Sequence, residues 1–289
     1  MKSIYKYVRN NLEDTYGILE LQDKILEIMV DIDKLCREHC IQYFLMGGSA
    51  LGAVRHGGFI PWDDDLDIFM PYDDYKRFAQ LCESELDRDK YYYQREDTDE
   101  LPYFFSKVRM NGTTCIDETQ IRRKGVHQGI FVDIMCLNHA APPGIRRKIQ
   151  FGAAALLRAS ALSRLADYRA ASPQKAAAIM AAKIFVHGPV KRLLIREVRK
   201  YNNKPAEDVA HIFGRAKYKN AYYPAKLFEM PRYVPFEQIE LAVPNGVEEY
   251  LSLRYGKDYM KMPSEETKAI YQTHAMIWDT KKDYREYIG

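Results

Sequence analysis

The chain has 289 residues, of which 43 are Lys or Arg and 40 are Asp or Glu, so its net charge is only +3. Hydrophobic residues make up 47% and charged residues 29% of the sequence, which is ordinary for a globular protein. This composition excludes an intrinsically disordered chain, a collagen-like repeat and a small disulfide-stabilised scaffold. The length suits one large or two small domains with a sizeable apolar core.

The first third of the chain predicts alternating helices and strands. Apolar residues from Ile18 to Leu35 recur at spacings of three and four, which is typical of an amphipathic helix packed on a core. The pair Gly47-Gly48 then separates a short apolar strand from a short helix that Ser49 can cap. The predicted elements are a helix over residues 12–38, a strand over 41–46, a helix over 50–55, a strand over 65–70 and a helix over 71–85.

The rest of the chain predicts further strands and helices. Asn111-Gly112 is a strong hairpin turn signal between two apolar runs, so these runs are predicted to pair with each other. Ser172-Pro173 and Gly188-Pro189 interrupt an Ala- and Leu-rich stretch, which indicates two or three helices. The other elements predicted here are strands over residues 103–110, 113–116, 130–135 and 239–243, and a helix over 247–255 that ends at Gly256.

Most of the basic charge lies in one segment. Residues 145–204 contain 14 Lys or Arg against the two acids Asp167 and Glu197, a net charge of +12, so the rest of the chain sums to −9. A charge distribution of this kind suits an anionic partner. Because its Leu, Ile and Phe residues are interleaved with the cations, the segment is either a helical surface that lies on an anionic membrane or a helical subdomain with solvated arginines.

The five cysteines are odd in number and have no paired Cys-x-x-Cys spacing, which favours free thiols in a reducing, cytoplasmic compartment. The first ten residues lack the apolar core of a signal peptide. No run approaches the ~20 apolar residues that a membrane-spanning helix needs. We therefore expect a cytoplasmic protein that is either soluble or bound peripherally to a membrane.

An acidic run after the glycine pair carries the clearest chemical signal. On a strand over residues 65–70, Asp65 and Asp67 point to one face and apolar residues point to the other. A later strand adds Asp133 as a third carboxylate. Such oxygen ligands are the ones that Mg²⁺ and Mn²⁺ prefer, and these ions stabilise phosphoryl transfer. A solvated charged turn is the alternative, but the apolar face anchors the strand and the two aspartates repel each other without a cation.

Groups that can hold phosphates flank this acidic run. Glycines at a strand-to-helix turn let backbone N–H groups approach a phosphate, so Gly47-Gly48-Ser49 is a candidate cradle. Lys107 and Arg109 alternate onto one face of a predicted strand, where they either neutralise a diphosphate or face solvent at a strand edge. Arg55 lies between the cradle and the carboxylates, so contact with a phosphate and an ion pair with the aspartates are both open.

The segment LMGGSALGAVRHGGFIPWDDDLDI over residues 45–68 closely resembles the signature of the LicD family of phosphocholine transferases, which is related to the fukutin group. The resemblance is contiguous, so chance is an inadequate explanation. Further similar segments are residues 107–113, 129–134, 243–244, 249–251 and 255–260. Together they are spread over the chain on both sides of the basic segment and include none of it.

This resemblance implies a nucleotidyltransferase-like α/β (α+β) fold, with a mixed sheet flanked by helices. It implies a single catalytic domain over residues 1–289, with a basic helical insertion at 145–204. The implied activity is metal-dependent transfer of phosphocholine, or a related phospho-alcohol, from CDP-choline or another CDP-alcohol. The acceptor would be a sugar hydroxyl of a cell-surface glycan such as lipopolysaccharide, teichoic acid or capsule. Nucleic acid is not expected as a partner, because a nucleotide donor and an anionic, lipid-linked glycan already account for the basic charge.

By matching position, the resemblance makes Asp65 and Asp67 ligands of Mg²⁺ or Mn²⁺, with a pair of ions expected. Asp133 would share a metal or accept the proton of the acceptor hydroxyl. Gly47, Gly48 and Ser49 would hold the donor phosphates. The protein would then work in the cytoplasm, at the inner face of the membrane. Two other functions stay open, namely a nucleotidyltransferase that leaves NMP on its acceptor and a non-catalytic adaptor that binds membrane or glycan.

Overall fold

The computed structural model of the chain describes residues 14–117, 123, 125–165, 172–214, 217–270 and 275–288. The helices are α1 (Leu19–Glu38), α2 (Gly47–His56), α3 (Tyr72–Ser84), α4 (Ile145–Leu165), α5 (Pro173–Phe185), α6 (Gly188–Arg199), α7 (Val247–Tyr255) and α8 (Glu265–Ile270). The strands are β1 (Phe44–Leu45), β2 (Asp67–Pro71), β3 (Tyr91–Gln94), β4 (Ser106–Met110), β5 (Thr114–Asp117), β6 (Phe131–His139), β7 (Asp208–Ala210), β8 (Tyr222–Pro224), β9 (Pro231–Phe236), β10 (Ile239–Pro244) and β11 (Ala275–Asp279).

The central sheet is mixed. Its strand order is β1-β2-β6-β4-β3, with β7 beside the end of β6 and β8 beside β7. Strands β2 and β6 run parallel, whereas β1 with β2, β4 with β6 and β3 with β4 are antiparallel. The prediction of a mixed sheet flanked by helices is therefore confirmed.

Helices α1 and α3 cover one face of this sheet. Tyr91 and Tyr93 of β3 point to that face. The Tyr91 hydroxyl donates a 2.6 Å hydrogen bond to Asp31 of α1, and the Tyr93 ring packs edge-to-face on Phe78 of α3. The apolar stripe that predicted α1 is buried along its length, at Leu21, Ile25, Ile28, Met29 and Ile32. The opposite face of the sheet carries the polar residues considered below.

Two predicted element boundaries are wrong at the start of the chain. Helix α1 begins at Leu19. The carboxylate of Asp14 accepts hydrogen bonds from the N–H groups of Ile18 and Leu19, and Gly17, just before them, has a left-handed conformation that a helix does not continue through. Predicted helix residues 12 and 13 lie outside the described residues. The predicted strand over residues 41–46 is reduced to β1, which has two residues.

The predicted hairpin between the runs around Asn111-Gly112 is wrong. The turn itself is present, since Gly112 has φ +68°. Strand β4, however, is an interior strand whose two edges are already paired with β3 and β6, so it has no free edge for β5. Strand β5 pairs instead with β11. The hydroxyl of Thr113 donates to the Met110 carbonyl and accepts from the N–H of Ile130, which turns the chain away from β4.

The basic segment forms α4, α5 and α6, which confirms the prediction of two or three helices interrupted at the two proline pairs. These helices share an apolar cluster of small side chains with the end of the central sheet; its members include Ala153, Ala154, Leu157, Ala182, Val186, Val198 and Ala210. Ion pairs also join α4 and α6 to the rest of the chain, through Arg147–Asp208 at 2.7 Å and Arg199–Glu96 at 2.5 Å. Among the described helices, none combines the length and apolar character needed to cross a membrane.

Candidate active site

Three charged side chains lie in a row on one face of the sheet. Asp67 of β2 pairs in register with Asp133 of the parallel strand β6, and Asp133 pairs in register with Lys107 of the antiparallel strand β4. Side chains at paired positions of neighbouring strands point to the same face, so the two aspartates and the lysine are adjacent. Lys107 Nζ lies 2.5 Å from Asp133 Oδ1. The sheet thus brings Asp67 and Asp133 together as the sequence predicted.

The loop before β2 adds a further carboxylate to this row. Asp63 and Asp65 share a side-chain hydrogen bond, and burial together with the charges of Asp65, Asp67 and Asp64 raises the pKa of Asp63 well above its usual range. Burial, Asp65 and Asp133 likewise raise the pKa of Asp67, against the lowering effect of Lys107 and Arg254. The fold therefore holds several acids that repel one another side by side in a buried site.

Asp64 has a different task from its neighbours. Its side chain is buried, and its Oδ2 accepts a 2.8 Å hydrogen bond from the backbone N–H of Ala275 at the start of β11. Asp64 therefore ties the acidic loop to the last strand. Of the two aspartates that precede the predicted ligands, Asp63 belongs to the carboxylate row and Asp64 shapes the loop.

The donor set of this row suits a hard divalent cation. Asp63, Asp65, Asp67 and Asp133 offer only carboxylate oxygens. A cation would relieve both the burial of charge and the mutual repulsion that raise the pKa values of Asp63 and Asp67. Within the part of the chain that the structure describes, no three His, Cys, Asp or Glu side chains are already gathered around one point where a metal could sit. Lys107 neutralises one oxygen of Asp133 in this arrangement. Binding of Mg²⁺ or Mn²⁺ stays a prediction.

The predicted cradle lies directly beside Asp67. Helix α2 begins at Gly47, so Ser49 is in its first turn and does not cap it, which corrects the prediction. The Ser49 Oγ accepts a 2.9 Å hydrogen bond from the N–H of Asp67, and as a hydroxyl it keeps a proton to donate. The N–H of Gly47 donates to the hydroxyl of Tyr250 at 2.9 Å. Phosphate binding at this helix start is therefore a prediction that requires the Tyr250 hydrogen bond to exchange.

The surroundings of both glycines in the cradle disfavour a side chain. Gly47 adopts the left-handed φ of +54°, which strains any residue with a side chain. A Cβ on Gly48 would lie 2.7 Å from Asp63 Oδ2. The missing side chain at Gly48 therefore lets the acidic loop pack against the first turn of α2.

Helix α7 brings a cation to the cradle that the sequence analysis did not select. Arg254 Nη2 would lie 3.3 Å from a Cβ on Gly47, and its positive charge acts on Asp67. Burial lowers the pKa of Arg254, but the neighbouring phenols of Tyr250, Tyr255 and Tyr223 outweigh burial and raise it. Its buried Nε has no hydrogen-bond partner among the described residues. No local sequence pattern around Arg254 points to the cradle, because the contact depends on how α7 packs against α2.

The sequence left open whether Lys107 and Arg109 face solvent at a strand edge, and the structure shows that they do not. They are only 8% and 3% exposed, because β4 is an interior strand. Arg109 donates to Gln94 and to the Gly129 carbonyl, both at 2.7 Å, so its guanidinium has local partners. Lys107 Nζ forms the ion pair with Asp133 and also lies 3.4 Å from the centre of the Phe131 ring. Of the two cations, Lys107 is the one in the charged row.

Arg55 directs its donors to the segment that follows α7. Its Nη1 donates to the carbonyl oxygens of Tyr259 and Lys261, at 3.1 and 3.3 Å, and its Nε donates to His56 at 3.0 Å. Burial lowers the pKa of Arg55. The structure thus shows Arg55 holding residues 259–261 beside α2, and its predicted contact with a donor phosphate stays a prediction.

Comparison with known proteins connects this site to an enzyme family. Residues 40–131 match the family model described as LicD/FKTN/FKRP, nucleotidyltransferase domain. This stretch includes the cradle, the acidic loop and Lys107, and it ends two residues before Asp133. The resemblance found in residues 45–68 is therefore confirmed.

Individual relatives point the same way. The chain is 29% identical over 259 residues to the lipopolysaccharide cholinephosphotransferase LicD of Haemophilus influenzae. The aligned stretch covers 86% of this chain and 92% of that relative. It is also 49% identical over 41 residues to the ribitol 5-phosphate transferase FKRP of Homo sapiens and of Mus musculus, a stretch that covers 14% of this chain and 8% of FKRP. Both relatives are named transferases, which confirms the predicted enzyme class.

Proposed function

We propose that this chain, whose residues 40–131 match the LicD/FKTN/FKRP nucleotidyltransferase domain, transfers phosphocholine or a related phospho-alcohol from a CDP-linked donor to a sugar hydroxyl of a cell-surface glycan such as lipopolysaccharide. The observation that carries the proposal is the row of Asp67, Asp133 and Lys107 beside the first turn of α2. This row offers acids for a metal or a proton next to backbone and side-chain donors for phosphate. A non-catalytic adaptor has no need for acids placed at the cost of mutual repulsion.

A divalent cation would be held by Asp65 and Asp67, with Asp63 beside them, while Asp133 keeps the oxygen that Lys107 does not contact for the acceptor proton. When bound, Mg²⁺ or Mn²⁺ neutralises phosphate charge and so stabilises phosphoryl transfer. A pair of such ions is consistent with the number of carboxylates, and with the repulsion that raises the pKa values of Asp63 and Asp67.

The other residues of the site divide the remaining work. Arg254, Ser49 and the N-terminus of α2 bind the diphosphate of the donor, since they combine a fixed cation, a hydroxyl donor and a helix dipole. Lys107 holds the Asp133 carboxylate in place through its 2.5 Å contact. Asp133 accepts the proton of the acceptor hydroxyl through its other oxygen.

The bond changes follow from these positions. The acceptor oxygen forms a bond to the phosphorus atom that carries the alcohol, and the bond from that phosphorus to the bridging oxygen of the diphosphate breaks. CMP leaves with the bridging oxygen, and the acceptor proton moves to Asp133. The donor would thus be CDP-choline or another CDP-alcohol, and the product a glycan phosphodiester.

The test is to incubate the protein with CDP-choline, Mg²⁺ and a lipopolysaccharide acceptor, and to measure CMP release and the mass of the product. Asp67→Asn and Asp133→Asn should each lower the rate by at least about 100-fold, whereas Asp99→Asn, a fully exposed acid away from the site, should not. Failure of donor binding with every CDP-alcohol tried would refute the proposal.

The domain's description as a nucleotidyltransferase supports one alternative, in which the enzyme leaves NMP on the acceptor. Product mass separates the two functions. An added phosphocholine supports the proposal, and an added CMP group supports the alternative.

A further inference from the structure

Helices α4, α5 and α6 leave large apolar side chains exposed to solvent. Phe185 is 67%, Leu193 65% and Ile184 57% exposed, and Ile149, Leu156 and Met180 are each about half exposed. In α5 only Ile179 and Ala182 are buried. Large exposed apolar side chains gathered on neighbouring helices typically mark a surface that binds a partner.

The cations of the same helices fall into two groups. Arg147, Arg164 and Arg199 form ion pairs with Asp208, Asp97 and Glu96 of the rest of the chain, so they hold the insertion in place. A second group is exposed and makes no ion pair with a described acid; it consists of Arg146, Lys148, Lys175, Lys183, Arg192, Arg196 and Lys204. The basic charge left for a partner is therefore carried beside the exposed apolar side chains.

A surface cavity combines both kinds of residue. It has a volume of about 430 Å³ and lies between α4 and the end of α6. Its lining consists of Arg146, Ile149, Glu197, Lys200, Tyr201 and Lys204. Lys200 is paired with Glu197 at 2.5 Å, so Arg146 and Lys204 are the cations left for a phosphate group, and Ile149 adds an apolar wall.

We propose that the exposed face of α4, α5 and α6, here called the docking surface, binds an anionic lipid bilayer. Ile184, Phe185 and Leu193 enter the boundary between head groups and acyl chains, while Arg192 and Arg196 contact lipid phosphates. The cavity receives the phosphate of one lipid head group. Interleaved apolar and basic side chains fit a bilayer interface, whereas a nucleic acid would not require the large exposed apolar residues.

This docking goes beyond the transferase reaction, because it concerns where the enzyme works and not what it transfers. It requires neither donor nor metal. Vesicle binding can therefore fail while the proposed transferase activity stands, and the activity can fail while vesicle binding stands.

The experiment is co-sedimentation of the full chain, without donor or divalent metal, with vesicles of phosphatidylcholine alone and with vesicles of equal parts phosphatidylcholine and phosphatidylglycerol. We expect binding to the anionic vesicles only, and weaker binding as the salt concentration rises. Absence of binding to the anionic vesicles overturns the proposal.

Two variants locate the contact. The variant with Lys183→Gln, Arg192→Gln and Arg196→Gln should lower the vesicle affinity by roughly 100-fold, since each cation near an anionic surface contributes about fivefold. The variant with Ile184→Ser, Phe185→Ser and Leu193→Ser should lower it by at least about tenfold. All six side chains are exposed, so the circular dichroism spectrum and Tm should not change.

Matched controls lie on other surfaces. Lys226→Gln, Lys257→Gln and Lys282→Gln remove the same charge, and Met230→Ser, Met260→Ser and Met276→Ser remove exposed apolar side chains elsewhere. These controls should retain vesicle binding. Equal losses in the controls would contradict the proposal. So would sedimentation velocity showing that the docking-surface variants dissociate an oligomer, because the surface would then join copies of this chain.

Discussion

Lys107 and Asp133 form a buried ion pair, with the Lys107 ammonium 2.5 Å from Asp133 Oδ1, on neighbouring interior strands of the sheet. Asp67 lies at the paired position on the other side of Asp133. Lys107 is thus the cation that compensates one of several adjacent acids. Burial lowers the pKa of Lys107, and Asp133 opposes that effect.

Replacing Lys107 should be costly for the fold as well as for activity. Lys107→Met leaves Asp133 buried beside Asp67 without its cation, so we expect a loss of about 3–5 kcal/mol in the free energy of unfolding, measured by urea denaturation without metal. The double variant Lys107→Met with Asp133→Asn should recover part of that loss, because the unpaired charge is gone. A simple sum of the two single effects would contradict this explanation.

Much of this site could be predicted from the sequence because it depends on local patterns. Alternation placed Asp67 on one face of its strand, and the strand pattern over residues 130–135 supplied Asp133 as a third carboxylate. The pairing of β2 with β6 puts the two side by side. What could not be predicted depends on which strands become neighbours. The Asn111-Gly112 turn signal was correct, but β4 was already paired on both edges.

Contacts from distant helices were equally invisible in the sequence. Arg254 reaches the cradle from α7, some two hundred residues after Gly47, and no local pattern links the two. The hydrogen bond that the N–H of Asp67 in β2 donates to Ser49 Oγ in α2 likewise exists only after the strand and helix pack. The capping role predicted for Ser49 is wrong because α2 begins at Gly47, three residues before the predicted start.

Gly48→Ala should affect activity more than stability. The added Cβ would lie 2.7 Å from Asp63 Oδ2, and the carboxylate at the end of a side chain can move away. We expect a change of less than about 1 kcal/mol in the free energy of unfolding but a rate at least about tenfold lower, because the acidic loop shifts.

The matched control for this prediction is Gly152→Ala in α4. An added Cβ there meets nothing within 4 Å, so the helix should gain about 0.5–1 kcal/mol with no effect on the rate. Equal rates for the Gly48 and Gly152 variants would show that the contact with Asp63 does not matter for catalysis.

Arg254→Gln should weaken donor binding specifically. Loss of a charged hydrogen-bond donor beside the cradle should raise KM for the CDP-linked donor by about tenfold to 100-fold. The conservative variant Arg254→Lys should restore part of this affinity, because it keeps the charge but not the planar donor geometry. An unchanged KM in Arg254→Gln, measured by initial rates at varied donor concentration, would remove Arg254 from the phosphate site.

His211 should make the fold sensitive to acid. Its ring is buried against Phe69, neither ring nitrogen has a partner among the described residues, and burial with the charges of Arg254 and Arg158 lowers its pKa to about 3. The unfolded chain binds a proton at this residue below about pH 6.5 while the folded chain does not, so stability falls as the pH drops from about 6.5 towards 3.

His211 contributes at most about 1.4 kcal/mol per pH unit to this pH dependence of the free energy of unfolding. His211→Leu should remove that part, measured as the dependence of Tm on pH from 7 to 4. A remaining slope is expected from His127, whose pKa burial lowers to about 4. An identical pH dependence in the variant and the parent protein would mean that His211 is protonated in the fold.

A divalent cation should stabilise the protein through the acidic row. In metal-free protein, Asp67 is buried among like charges that raise its pKa, so Asp67→Asn should raise Tm by removing the repulsion. Mg²⁺ or Mn²⁺ should raise the Tm of the parent protein, and this gain should be lost in Asp67→Asn. Asp99→Asn is the control: its Tm without metal should equal that of the parent protein, and Mg²⁺ or Mn²⁺ should raise that Tm as in the parent. Differential scanning fluorimetry with EDTA and with each metal separates the cases, and a parent protein that does not respond to either metal would exclude a cation at this row.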